Sequence, residues 1–213
     1  MNICGIGRDF QHDQIREIDF ESSQTFLDFD AVFIDAAIFM GANASHVQDR
    51  RRDEIAEYLA YGRTVVVFAA PVQLDKFLPI PPLSFKTSSG HRIDCKGPDY
   101  LKIFWSSIQE DMQYLIFFES TLGQPFLYVA GTNKPVATLI RKEQGNLLLL
   151  PWLKRYQHYS QSNQACAKYI AAFQKLNEHI SPKKTTFSFP PWSNHYGWSV
   201  ERKLRDNLLT LQP

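Results

Sequence analysis

The sequence predicts an α/β fold: a central, mostly parallel sheet with helices on both faces, an antiparallel hairpin near its end and a C-terminal helical extension. Three observations carry this. The apolar runs at residues 31–34 and 64–69 are continuous, which marks strands buried on both faces. An amphipathic helical pattern stopped by Gly62 lies between them, so strand, helix and strand form a crossover unit, expected to be right-handed. From residue 114 the period shortens to that of strands separated by turns, and a long amphipathic helix comes next over residues 161–180.

Composition is consistent with this. A chain of 213 residues with 44% hydrophobic residues can bury a large core and is not mostly disordered. Lys plus Arg number 23 against 22 Asp plus Glu, so no general surplus of cations exists to bind a polyanion. Cys4, Cys95 and Cys166 are odd in number and lack a CxxC pair, which argues against a disulfide framework or a structural zinc. The histidines are scattered, with no HxH or HExxH, so no metal is expected, and no cofactor. The N-terminal apolar run meets Arg8 and Asp9 too early for a signal peptide, and no run is long enough to span a membrane. A soluble, cytoplasmic protein is expected.

Along the chain, residues 3–7 are short, apolar and punctuated by glycine, as a buried first strand would be. Residues 15–20 alternate weakly. Ser45, with Gln48 three residues on, resembles a capping box before a helix with Val47, Ile55, Tyr58 and Leu59 on one face. Its segment 48–54 reads as charged and solvated. Residues 71–97 are irregular because Pro79, Pro81 and Pro82 forbid a central strand. Within them, residues 86–90 read as a loop and 91–95 as a short edge strand. Pro98, at a first helical position, opens a helix carrying Leu101, Phe104, Trp105 and Ile108. Strands are expected at 114–119, 125–130, 136–141 and 146–150, the last two as a hairpin. In the next helix Cys166, Tyr169, Ile170, Phe173, Leu176 and Ile180 form one stripe, closed by Pro182.

Residues 1–183 therefore read as one α/β domain. Residues 184–213 read as a Pro- and aromatic-rich linker and the start of a C-terminal helix. Val200, Leu204, Leu208 and Leu211 form an apolar stripe there, expected to drive self-association or to meet a protein partner. The stripe is still apolar at Pro213, so the protein is expected to continue as a longer helix or a coiled coil.

Three stretches together resemble the class I glutamine-amidotransferase-like group of flavodoxin-type α/β domains. They are Phe29-Asp30-Ala31-Val32-Phe33-Ile34-Asp35, the helix-to-strand join over residues 57–68, and the hairpin from Pro135-Val136-Ala137 to Leu150-Pro151. The resemblance covers residues 1–153 and implies a scaffold. Catalytic members place a nucleophilic Cys in a Gly-flanked elbow after a strand, where a sharp turn projects the thiolate beside oxyanion-stabilising N–H groups. No Gly-x-Cys-x-Gly occurs here, and the central strand ends Phe68-Ala69-Ala70-Pro71. The resemblance thus implies a non-catalytic sensor or protein-interaction module. Pro190-Pro191-Trp192 and the leucine helix after it are similar to prokaryotic proteins in which such a domain is the N-terminal part of a larger chain.

Several residues stand out as candidates for chemistry. Arg8 comes after the Gly5-Ile6-Gly7 turn and is a charge partner for a ligand phosphate, although a plain tight turn explains the glycines. Asp35 falls at the carboxyl end of a parallel strand, the edge where open α/β sheets bind ligands; a helix cap is its plainer role. His91 and Cys95, with Asp94, bring a base near a thiol in sequence. A hydrolase or transferase with a nonstandard site around Asp35, His91 and Cys95 is the alternative function, and enzymatic activity is the less favoured reading. Lys154, Arg155 and Tyr156 interleave cations with aromatics, as single-strand nucleic-acid binders do. A snorkelling connecting loop accounts for them as simply. Arg50-Arg51-Arg52, flanked by acids, reads as a solvated helix face.

Overall fold

A computed structural model of the chain describes residues 1–7, 10, 12–40, 45–120, 122–154 and 156–181. The chain divides into Met1–Pro182 and Lys183–Pro213, and the second unit lies outside the described residues together with Val200, Leu204, Leu208 and Leu211. Among the described residues of the first unit, eleven strands and three α-helices succeed one another. They are β1 (Ile3–Ile6), β2 (Ile15–Ile18), β3 (Ala31–Asp35), α1 (Ser45–Ala60), β4 (Thr64–Phe68), β5 (Phe85–Gly90), β6 (Ile93–Cys95), α2 (Asp99–Ile108), β7 (Met112–Phe118), β8 (Gln124–Val129), β9 (Pro135–Lys142), β10 (Gly145–Leu150), β11 (Trp152–Leu153) and α3 (Tyr159–Ile180).

The main sheet has eight strands in the order β2-β1-β3-β4-β10-β9-β8-β6. Its first five are parallel and its last three join antiparallel. The chain leaves β1 for β2 on one side and returns to β3 on the other, so the strand order reverses between β1 and β3. The expected α/β sheet, its β3–α1–β4 crossover and the β9–β10 hairpin are all present.

Side-chain parity divides the core. Phe33, Val66, Phe68, Leu148 and Leu150 face α2 and α3, together with Leu101, Phe104, Tyr169 and Phe173. Val32, Ile34, Val65, Val67, Leu147 and Leu149 face the other way, onto Ile55, Tyr58 and Leu59 of α1. Every residue of β3, β4 and β10 is buried, which explains why their sequences show no alternation. Burying one such side chain contributes about 1.5–3 kcal/mol. α1 stops at Gly62, whose φ of +75° only glycine adopts without strain. Gly145 opens β10 where a Cβ would lie 2.4 Å from the Leu59 carbonyl oxygen, so only glycine lets α1 approach the strand this closely.

Three expectations are corrected. Residues 86–90 are not a loop: they belong to β5, which pairs antiparallel with β7 in a separate three-stranded sheet, β11-β7-β5. Polar residues persist in β5 because it is an edge strand, half of whose surface is solvated. Pro98 is the residue before α2 rather than its first helical position.

The third correction concerns α1. Arg51 is not solvated but 1% exposed. The connection over residues 19–30 contains no helix, and Arg51 supplies its order. Its Nε donates to Phe20 O at 2.9 Å, Nη1 to Gln24 O at 2.9 Å and to Glu54 at 2.5 Å, and Nη2 to Ser22 O at 3.0 Å and Asp19 O at 3.2 Å. All five guanidinium donors are thus used, as a buried arginine requires. Glu54 Oε1 in turn accepts from Thr25 Oγ1 at 2.6 Å and Phe26 N at 2.8 Å. Arg50 joins them through Ser22 O at 2.5 Å.

Candidate functional site

The carboxyl ends of β1, β3, β4 and β10 form the edge at which this topology places ligands. Asp35 ends β3 there and is fully buried. Its Oδ1 accepts from the Ala37 N–H at 3.0 Å and from Trp152 Nε1 at 3.3 Å. The first bond caps the short 3-10 turn Ala36–Phe39, so the capping role expected of Asp35 is present. The second ties the end of β3 to β11, although 117 residues separate the two side chains.

On the same face, Phe10 reaches back from the β1–β2 connection onto Phe33 and Phe68, with ring centroids at 6.2 and 6.0 Å. Cys166 of α3 donates to Phe10 O at 2.7 Å. Tyr169, one turn further along α3, packs among Phe33, Phe68 and Phe104. Its hydroxyl is buried and has no hydrogen-bond partner. Burial alone holds that phenol well above its usual range. The residues after β4 are Ala69, Ala70 and Pro71.

The cysteines lie elsewhere. Cys4 is inside β1, facing α1, and burial pushes its thiol up to about 12. Cys95 sits on β6, the edge strand of the main sheet. Burial raises its thiol too, against smaller lowering by the Gly97 backbone and Lys102. A raised thiol pKa lowers the thiolate fraction that nucleophilic attack requires.

The residues of the alternative enzymatic site are not gathered. β4, β10, β9 and β8 lie between β3 and β6, so Asp35 and Cys95 stand five strand spacings apart, about 24 Å. His91 is exposed just before β6, and Asp94 accepts from the Gly131 N–H at 2.9 Å across the neighbouring turn. Arg8 and Arg155 lie outside the described residues.

Lys154 and Tyr156 are both bonded within the fold. Lys154 Nζ donates to Glu110 O and Tyr156 Oη donates to Asp111 Oδ1. Asp111 is 8% exposed and also lies 4.0 Å from Lys168. Tyr156 is pushed up to about 12, by burial first and then by its hydrogen bond to Asp111, so it remains a donor at neutral pH. The sequence shows no acid beside Lys154 because Glu110 and Asp111 are more than forty residues away along the chain. Among the described residues no helix is long and apolar enough to cross a membrane, and no group of three or more His, Cys, Asp or Glu could hold a metal ion.

No family model matches the sequence, and no curated protein sequence matches it. The structure is similar to that of the cytoplasmic protein STM3548 from Salmonella typhimurium, with a TM-score of 0.49 and 10% identity over 86% of this chain and 100% of that one. It is also similar to part of a polyextremophilic β-galactosidase from the Antarctic haloarchaeon Halorubrum lacusprofundi, with a TM-score of 0.45 and 10% identity over 82% of this chain and 30% of that one. The chain is an α/β protein built on a mixed, mostly parallel sheet.

Proposed function

We propose that this chain is a non-catalytic, amidotransferase-like module that senses a ligand or engages a protein partner. The observation that carries the reading is the carboxyl edge of the sheet. Ala69, Ala70 and Pro71 succeed the central strand there, and the acid at the edge, Asp35, is committed to Ala37 and Trp152. A nucleophile at that edge needs a thiol on a sharp turn and free N–H groups beside it. Pro71 lacks the N–H altogether. What the edge retains is a fixed hydrogen-bonding frame, which suits recognition rather than turnover.

The interaction half of the reading rests on the stripe of Val200, Leu204, Leu208 and Leu211, which suits burial by association. Light scattering on the full chain and on its Leu204→Asp/Leu208→Asp variant tests it. Association that the double substitution abolishes supports the reading. A monomer in both proteins, over the accessible concentration range, removes self-association from it.

A further inference from the structure

We draw no further inference here: the strongest candidate, the apolar surface patch of half-buried Phe20 and Ile38 and exposed Met40 around Phe39 just beyond the carboxyl end of β3, is an unpartnered apolar face, and nothing in the structure shows what covers it.

Discussion

Replacing Arg51 with alanine tests how this fold manages without a helix between β2 and β3. The substitution removes five hydrogen bonds at once, to Asp19, Phe20, Ser22, Gln24 and Glu54. It also leaves Glu54, whose side chain is 12% exposed, without its cation. Breaking a buried ion pair by deleting one partner costs about 3–5 kcal/mol. At about 2–4 °C per kcal/mol for a domain of this size, the melting temperature should fall by roughly 6–20 °C. Arg52→Ala, one residue on at an exposed position, is the control and should stay within about 0.5 kcal/mol. Arg51→Lys should recover little, because an ammonium cannot reach five acceptors in a planar fork. Thermal melts monitored by circular dichroism give the shifts, and proteolysis should cut residues 19–30 faster in Arg51→Ala. A loss below about 1 kcal/mol, equal to that of Arg52→Ala, would show that the connection is held by its own turns and would refute the role given to Arg51.

Phe173 is fully buried against Phe33, so Phe173→Ala should cost about 3–5 kcal/mol in denaturant melts; a loss near zero would mean that α3 is peripheral. Gly145→Ala should destabilise by more than a surface change, since the added Cβ meets the backbone oxygens of Leu59 and Arg63 at 2.4 and 2.6 Å, and a wild-type melt would contradict that contact. Stability should decline from about pH 8.5 toward pH 12. The Cys4 thiol titrates at about 8.5 when unfolded but is raised to about 12 when folded. Between those values the native state keeps a proton that the unfolded state has lost, so stability falls by up to about 1.4 kcal/mol per pH unit from this group. Tyr156, also raised to about 12, and Tyr169, held well above its usual range by burial, act in the same direction from about pH 10. Melts between pH 7 and 11 check this, and a constant melting temperature would contradict it.

The parallel core was legible because burial on both faces leaves a direct trace in composition. Val65, Val66 and Val67, and the leucines of β10, cannot be mistaken for a half-solvated strand. The α3 stripe was legible because helical periodicity is local. What was hidden depends on partners distant in sequence. Arg51 sits in a run of three arginines that looks solvated, and its backbone acceptors lie 27–32 residues earlier in a connection with no periodicity of its own. β5 is a strand only because β7 pairs with it, and Lys86, Ser88 and Ser89 show no apolar alternation of their own. The same holds for the candidate site. Asp35 could be placed at a strand end from its sequence alone. Its meeting with Trp152 emerges only from strand order and register.

The most direct test of the central claim is ammonia release from glutamine, with a generic ester run beside it, by the full chain and by its Cys4→Ser, Cys95→Ser and Cys166→Ser variants. A scaffold whose carboxyl edge carries alanine and proline after the central strand, and whose Cys4 and Cys95 thiols are raised by burial, should give the same background rate in all four proteins. Turnover above background that disappears with any one of these serine substitutions would show a working nucleophile and contradict the account.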